Sequence, residues 1–517
     1  MGMKRGLFLG LLGLVCGLSW AQEITIGPDN SIKNSEVLTQ IIGEKDSIIY
    51  IQKSQTSVFK SDGEYLERFD SRSLESLGSI PLLLNNAYIE HRGRRLEPQF
   101  EDVFFYQNRI ILCLSAYDRK QRELLAYAAI FDKNDRQISL ILLDQVKNST
   151  GYDPGRFLFW PGASGNKLFV FQMTPSPKKE MALYGIKVFN SNWEKEWQKG
   201  FLLPYKRNDT EIINVLSDAS GNIAMLIRVS KPRKEVKFGG NPYTYHLISY
   251  LSGSEDVVAH SISIPNKKIT DIQILLNHKD KIIVSGFLCP EGNSGITGAF
   301  YGCYAFDGSV EMELRYSNFT QEILEQFLKE RSIMRGDGLS GFSIDRIFLR
   351  EKGGVYVISE QFLIQEICNR DARGILTCNY YYYYNSIVVN AISEEGKFEW
   401  NAIIPKYQSS VNDNGWFSSY AVAQKGDTLY FLYNEHAKNF DQDDPEKYRS
   451  MIRPGKAKLA MSKLSPDGKI EKTALVSSKT GNNIIRPRFY HYDSKGDLII
   501  PAFSMQSNNF RLIKIAF

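Results

Sequence analysis

The chain has 517 residues, of which 43% are hydrophobic and 12% aromatic, so it is long enough to bury a large core. Its 63 basic residues nearly balance its 58 acidic residues, and the formal net charge is +5. This near balance gives no support for a nucleic acid or an anionic membrane as the main partner.

The first 21 residues have the pattern of a secretory signal peptide. Lys4 and Arg5 form a basic start, an apolar run follows, and Ser19 and Ala21 are the small residues of a cleavage site. We therefore expect export to the periplasm, the cell surface or the extracellular space. No other stretch has 18 uninterrupted apolar residues, so no transmembrane segment is expected in the mature chain, 22–517.

One sequence unit recurs along the mature chain. Each copy has a polar turn and then a burst of β-forming residues, as in "KDSIIYI" at 45–51 and "GDTLYFLY" at 426–433. Asp, Asn and Gly tolerate the left-handed backbone that tight hairpins require. The turn residues of the successive copies are Asp46, Asn108, Asn166, Asn222, Asp280, Gly354, Asp427 and Asp497.

A second turn follows in most units, as in "SDGEYL" at 61–66 and "SPDGKIEK" at 465–472. Each unit therefore holds about four strands, A to D, with tight A–B and C–D turns. Four-stranded units repeated radially are the blades of a β-propeller. We predict an all-β fold with about eight blades. Seven is the alternative, because the first unit is thin.

The two ends of the mature chain complement each other. The last unit stops at Phe517 after three strand-like segments, and the segment "EITIG" at 23–27 stands alone before the first unit. Donating this segment as the missing strand would remove two open sheet edges. We predict a single propeller domain, 22–517, that the N-terminal strand closes.

One helical insertion is predicted at about 318–336. The segment "TQEILEQFLKERSIM" starts at Thr320, which can cap a helix, and it places Ile323, Leu324 and Phe327 on one face.

The B–C and D–A connections lie at one end of such a ring, and they carry most of the irregular length. We call this the loop end and predict that it binds the partner, because loops on a rigid scaffold usually carry function. Within it, the run "NYYYYYN" at 379–385 suits packing between blades or an aromatic platform for sugar. The long connections are 71–99, 231–243, 318–342, 365–377, 406–416 and 434–456.

Two disulfides are predicted in B–C hairpins. Cys368 and Cys378 would face each other in blade six, in a register that also sets Val357 opposite Val389. Cys289 and Cys303 occupy similar positions in blade five, although their register runs strand C past its turn. Disulfides would agree with an oxidising compartment.

Catalytic and cofactor motifs are scarce. The sequence has no G-x-S-x-G, H-E-x-x-H or G-x-x-x-x-G-K pattern. The segment "GDGLSG" at 336–341 follows a helix, which is the wrong order for a dinucleotide turn. "NDNG" at 412–415 lacks the oxygen spacing of a calcium loop. We therefore predict no catalytic residue, metal or cofactor, although a hydrolase or lyase built on carboxylates stays open.

These blades resemble the divergent β-propellers of bacterial cell envelopes, a resemblance of architecture that transfers no functional residue. It implies a binding or assembly platform. The first hypothesis is an exported, non-catalytic propeller that binds a protein or glycan through the loop end. The alternatives are a propeller hydrolase or lyase acting on an envelope or extracellular polymer, and a subunit of a cell-envelope secretion or attachment assembly.

Overall fold

The computed structural model describes most of the chain beyond residue 22. The described residues are 23–56, 61–84, 86–132, 134–147, 155–162, 165–173, 180–236, 240–293, 295–370, 373–475, 483–493, 495–504 and 507–517. The predicted signal peptide, 1–21, lies outside them. The helices of the described residues are all too short or too polar to cross a bilayer.

The chain forms a succession of antiparallel sheets in which strands adjacent in sequence are adjacent in space. Two short N-terminal strands come first: β1 (Glu23–Ile26) and β2 (Asn30–Ser31). Sheet one follows, with β3 (Glu36–Lys45), β4 (Ile48–Thr56), β5 (Ser61–Asp70) and β6 (Ser76–Leu84). A small hairpin of β7 (Ile89–His91) and β8 (Arg94–Leu96) leads to the next sheet.

Sheets two to five each have four strands. Sheet two contains β9 (Pro98–Tyr106), β10 (Arg109–Asp118), β11 (Glu123–Phe131) and β12 (Gln137–Lys147). Sheet three contains β13 (Arg156–Pro161), β14 (Leu168–Met173), β15 (Met181–Phe189) and β16 (Lys195–Lys206). Sheet four contains β17 (Thr210–Ser217), β18 (Ile223–Ser230), β19 (Tyr243–Tyr250) and β20 (Val257–Ile262). Sheet five contains β21 (Lys267–Leu276), β22 (Ile282–Pro290), β23 (Gly298–Tyr304) and β24 (Val310–Asn318).

Two helices, α1 (Gln321–Glu325) and α2 (Glu330–Met334), precede sheet six. Sheet six contains β25 (Phe342–Leu349), β26 (Val355–Arg370), β27 (Leu376–Ile392), β28 (Phe398–Ile404) and β29 (Gln408–Val411). Sheet seven contains β30 (Ala421–Lys425), β31 (Thr428–His436), β32 (Ala457–Leu464) and β33 (Ile470–Ala474). Sheet eight contains β34 (Asn483–Ile485), β35 (His491–Tyr492), β36 (Leu498–Ser504) and β37 (Asn509–Ala516). Single 3-10 turns occur at Arg207–Asp209, Arg233–Glu235, Ala437–Asp441, Pro445–Lys447 and Pro454–Lys456.

Apolar clusters between neighbouring sheets set the architecture. Each of the seven clusters between consecutive sheets contains side chains from both of its sheets. A further cluster joins the last sheet to the first, with Ile49 of β4 beside Ile499 of β36. Four-stranded sheets that pack in this cyclic order form a β-propeller, as the repeat predicts. Strands B, such as β10 and β22, are buried almost throughout because both faces of each sheet are covered.

The N-terminal strand completes sheet eight, which confirms the predicted closure. β1 pairs antiparallel with β37, with Glu23 opposite Ala516 and Ile26 opposite Ile513. The side chain of Asp29 then accepts two hydrogen bonds from the guanidinium of Arg511, at 2.6 and 2.7 Å. The first strand therefore covers an edge that the last sheet would otherwise leave open.

Three predicted connections, 71–99, 365–377 and 406–416, are partly wrong because they contain strands; the strand in 406–416 is β29. Residues 71–75 form the C–D turn of sheet one. Strand β6 follows this turn, ends at Leu84 and pairs with β5. The motif "SDGEYL" therefore lies inside strand C rather than in a turn. Residues 365–377, predicted as a loop, continue β26 and β27 almost to their tip.

The helical segment holds two short helices instead of one. The backbone leaves helical geometry at Lys329, which has ψ of 149° as the N-cap of α2. Between the helices, Phe327 and Leu328 pack against the cluster that joins sheets five and six. The ring of Phe327 meets that of Phe342 edge-on at 5.3 Å. Packing of these side chains therefore breaks the helix.

Candidate functional site

A two-stranded ribbon leaves sheet six at the loop end. β25 pairs with β26 no further than Gln361, and β28 pairs with β27 only from Ile387. The segments 362–370 and 376–384 pair with each other beyond these points, and we call them the ribbon. Residues 363–370 are all exposed. This projection is the largest departure from the four-stranded pattern among the described residues.

The predicted disulfide between Cys368 and Cys378 is confirmed, and it joins the two ribbon strands near their tip. The two residues are directly opposite each other. The wider register is shifted by one residue, since Val389 lies opposite Ile358 instead of Val357. A β-bulge causes the shift, because Asn385 and Ser386 of β27 together oppose the single residue Gln361 of β26.

The second predicted disulfide is wrong, and Cys289 and Cys303 are buried free thiols. β22 and β23 are paired so that Cys303 lies opposite Ile283, six positions along β22 from Cys289. A pairing that joined the cysteines would have to carry β23 past its turn at Gly308. Burial raises the pKa of both thiols.

β29 and the loop after it fasten the ribbon to the ring, and we call residues 408–419 the strap. β29 pairs with the tyrosine run of β27, with Val411 opposite Tyr381. Asn412 Oδ1 accepts the backbone N–H of Tyr380 at 2.8 Å, and Asn414 Oδ1 accepts the Tyr382 hydroxyl at 2.8 Å. The two amide oxygens of the segment "NDNG" therefore accept hydrogen bonds from tyrosine residues of β27. Tyr384 is buried and Tyr380 exposed, so only part of the run packs inside the protein.

Gly415 is required where the strap crosses the ribbon. Its φ is +64°, and an added Cβ would lie 2.4 Å from the ring of Tyr384. We expect Gly415→Ala to lower the free energy of unfolding by about 2 kcal/mol or more. Gly78 is the control, because it has φ of +86° in open space and its alanine variant carries only the backbone cost. Urea denaturation measures both variants. Equal losses of stability would contradict the steric overlap of the added Cβ with the ring of Tyr384.

A buried polar network lies where the ribbon leaves the ring. The ammonium of Lys406, which is fully buried, donates to Glu360 Oε1 at 2.6 Å. It also donates to the carbonyl of Tyr384 and to Gln408 Oε1, each at 3.0 Å. Glu360 Oε2 accepts the Ser419 hydroxyl at 2.6 Å. The ammonium thus connects β26, β27 and Gln408 at the start of the strap, and Glu360 links in Ser419 at the end of the strap.

Exposed large apolar side chains concentrate on the ribbon and the strap. Smaller groups lie elsewhere, with Ile138, Leu140 and Leu142 along β12 and Leu183 opposite Leu202, whereas more such residues adjoin one another here. Leu363 and Ile367 share one ribbon face with Tyr381 and Tyr383, and Val411 extends that face onto the strap. We call this the apolar face. The exposed members of the ribbon and strap are Leu363, Ile364, Ile367, Ile375, Leu376, Tyr380, Val411 and Trp416.

Polar groups of the inner strands tie successive sheets together around the axis. These residues had no sequence motif, but several lie at β-bulges of strand A, such as those at Thr39 and Thr270. Two polar residues within an otherwise apolar strand A are the sequence feature that could have indicated these bonds. The bonds run from Gln40 to Asp102, Trp160 to Ser217, Asn214 to the carbonyl of Ile274, the N–H of Ile344 to Asp271, Tyr420 to Asp345, and Arg486 to the carbonyl of Leu38.

Four carboxyls on these inner strands have raised pKa values because the surrounding protein desolvates them. Glu101 accepts the Ser115 hydroxyl, and Asp102 and Asp271 accept backbone N–H groups. Among the described residues, Asp345 accepts a hydrogen bond only from the hydroxyl of Tyr420, at 2.9 Å. Desolvation, together with the Glu360 carboxylate, raises the pKa of Asp345 to about 7.

We expect Asp345→Asn to stabilise the protein at pH 8 and to have little effect at pH 4. The folded pKa of Asp345 lies above its ordinary value of 3.8, so the folded state binds the proton more tightly. Its ionisation therefore costs stability progressively from about pH 4 to pH 7. Thermal melts at both values test this. The control is Asp467→Asn, for which we expect the opposite sign, a loss of stability at pH 8. The hydrogen bond from Lys469 lowers the pKa of Asp467 to about 2, so its ionised form stabilises the folded state. A loss of stability at pH 8 in the Asp345→Asn variant would contradict the assignment.

One group of side chains has ligand-like spacing. The carboxylate of Glu366 and the sulfurs of Cys368 and Cys378 lie within 4.8 Å of one another. The sulfurs are bonded to each other and cannot act as thiolate ligands. Glu366 Oε1 instead accepts the Tyr380 hydroxyl at 2.9 Å. In its oxidised form, this cluster stiffens the ribbon.

No family model and no curated protein matches the sequence. The β-propeller domain of the Trilobed protease from Pyrococcus furiosus is 8% identical, with 86% of this chain and 97% of that domain covered and a TM-score of 0.36. The WD40 domain of SCAP from fission yeast is 10% identical, with coverages of 95% and 94% and a TM-score of 0.38. The fold assignment itself rests on the sheets described above.

Proposed function

We propose that this protein is an exported, non-catalytic β-propeller scaffold that binds a partner protein through the ribbon and the strap at its loop end. The observation that carries the proposal is the apolar face, in which exposed Leu363, Ile367 and Val411 lie on the same side as Tyr381 and Tyr383 of a rigidly fastened projection. Exposed apolar patches of this kind mark protein interaction sites. The disulfide and the signal-like sequence at 1–21 support export.

The anchoring of the ribbon favours recognition by a preorganised surface. The disulfide joins its strands, β29 pairs along one side, and the Lys406 network holds its base. A rigid binding surface loses less entropy when the partner binds. An assembly subunit of the cell envelope would use the same surface, with a membrane-associated protein as the partner.

A hydrolase or lyase has weaker support. Hydrolysis of a glycosidic bond requires two carboxyls that flank the bond. Asp345 has a suitable pKa for an acid, but the nearby Glu360 is held by Lys406 and Ser419. The exposed apolar side chains of the ribbon, by contrast, favour a binding role.

The proposal is tested by comparing capture of proteins from envelope fractions of the producing cells. The variant Leu363→Asp/Ile367→Asp alters the apolar face. The control Val257→Asp/Val310→Asp alters exposed positions that begin strands D after the C–D turns. We expect one protein to be retained by the wild type and control and reduced at least tenfold with the ribbon variant. Equal retention by all three, or capture that survives protease treatment of the fraction, would contradict the proposal; the latter would assign a glycan.

A further inference from the structure

Four side chains lie together on the ribbon face opposite the apolar face, and we call them the cysteine square. Glu366 is opposite Tyr380, and Cys368 is opposite Cys378. Residues two apart on a strand share a face, so both pairs point to the same side of the ribbon. Glu366, Cys368 and Tyr380 are exposed, and the square is therefore accessible to small solutes.

The spacing within the square matches a zinc coordination sphere. Glu366 Oε1 lies 3.5 Å from Cys368 Sγ, and a carboxylate oxygen and both sulfurs lie within 4.8 Å of one another. A tetrahedral Zn²⁺ with bonds of about 2.3 Å to sulfur and about 2.0 Å to oxygen holds a sulfur and an oxygen about 3.5 Å apart. It holds two sulfurs about 3.8 Å apart. Rotation about the cysteine Cα–Cβ bonds provides that separation once the bond between the sulfurs is broken.

We propose that the reduced ribbon holds a Zn²⁺ ion between the thiolates of Cys368 and Cys378 and the carboxylate of Glu366. Reduction by a dithiol comes first: two electrons and two protons pass to the sulfur–sulfur bond, and the dithiol becomes a disulfide. The two new thiols release their protons to water when the ion binds. Thiolate ligands select Zn²⁺ over Ca²⁺ and Mg²⁺, and three protein ligands leave the fourth position to water.

The charges and hydrogen bonds around the square favour such an ion. Two thiolates and one carboxylate carry three negative charges, which Zn²⁺ and the guanidinium of Arg370 together balance. Arg370 is two residues beyond Cys368 on the same face, where a cation also favours thiolates. The Tyr380 hydroxyl donates to Glu366 Oε1 at 2.9 Å, and such a bond orients a ligating carboxylate.

The other cysteines of the described chain are unsuited to this role. Cys113, Cys289 and Cys303 are buried free thiols. Burial raises the pKa of each of them, so they stay protonated at neutral pH. They are present in every variant proposed below, and they therefore serve as an internal control for binding by thiols outside the ribbon.

The test measures binding of Zn²⁺ by the full mature protein with its disulfide intact and after reduction by a phosphine. We expect the reduced protein to bind one Zn²⁺ at least a hundredfold more tightly than the oxidised protein in calorimetric titrations. Co²⁺ in place of Zn²⁺ should give the charge-transfer absorption of thiolate ligands in the reduced protein alone. Equal binding of Zn²⁺ by the two forms would overturn the inference.

Variants assign the ligands. Cys368→Ser/Cys378→Ser should lose both the tight binding and the cobalt absorption, and a melting temperature equal to that of the reduced wild type establishes that it is folded. Glu366→Gln should bind Zn²⁺ at least tenfold more weakly. The matched control is Glu313→Gln, at an exposed position of β24, which should bind as the wild type does. Tight binding by the double-serine variant, or equal affinities of Glu366→Gln and Glu313→Gln, would overturn the inference.

Hydrogen–deuterium exchange locates the ion on the ribbon. Because the ligands come from both strands, the ion would replace the disulfide as the link between β26 and β27 and leave the apolar face free. We expect reduction to speed exchange of the backbone N–H groups of 362–370 and 376–384, and added Zn²⁺ to slow it again. Tight binding of Zn²⁺ without renewed protection of these segments would overturn the inference.

Discussion

We expect replacement of Lys406 by methionine to lower the free energy of unfolding by about 3–5 kcal/mol. The substitution keeps an apolar chain of similar length but leaves the Glu360 carboxylate buried without its cation. It also removes hydrogen bonds to the carbonyl of Tyr384 and to Gln408. An uncompensated buried charge costs far more than the loss of an exposed ion pair.

Urea denaturation measures this effect, and an exposed pair supplies the control. Lys279 binds Glu394 at the surface, where its side chain is 70% exposed, so Lys279→Met should cost far less stability than Lys406→Met. The double variant Lys406→Met/Glu360→Gln should recover part of the loss, because no charge remains buried. Similar losses for Lys406→Met and Lys279→Met would show that the network does not anchor the ribbon.

The second large effect concerns the closing strand. We expect a mature chain that starts at Lys33 to be less stable by about 4 kcal/mol, at roughly 1 kcal/mol for each hydrogen bond lost along the four residue pairs of β1. It should also aggregate, because the whole of β37 becomes an open edge. Thermal melts and light scattering measure these two outcomes.

Complementation provides the control for this deletion. A synthetic peptide of residues 23–31 should restore the melting temperature when it is added in excess, since binding to the folded state stabilises it. A shuffled peptide of the same composition should not. A shortened chain that melts at the temperature of the full mature chain would contradict closure by the first strand.

The repeat and the chain ends predicted the architecture because both are local patterns. Turn residues such as Asp46 and Asn108 have positive φ, as hairpin chemistry requires. The lone strand at the N-terminus and the missing strand at the C-terminus could be matched without knowing any contact. The Cys368–Cys378 pair followed from hairpin register in the same way.

The candidate site was less accessible to sequence reasoning. The polar residues near Asn369 and Gly374 resemble a turn region and so predict a loop over 365–377, whereas β26 continues to Arg370 and β27 begins at Leu376. The bulge at Asn385 and Ser386 of β27 could not be placed, since one extra residue leaves no signature. The bond from Lys406 to Glu360 spans 46 positions, and only tertiary packing brings the two together.

The most direct test of the proposed binding surface is site-specific photocrosslinking in the producing cells. A photoreactive phenylalanine analogue replaces Leu363 on the ribbon, or Val310 near the opposite end of the propeller as the control. We predict a covalent adduct with one protein at position 363, lost when Ile367→Asp is added, and no adduct at position 310. An adduct at 310 with none at 363 would contradict recognition through the ribbon.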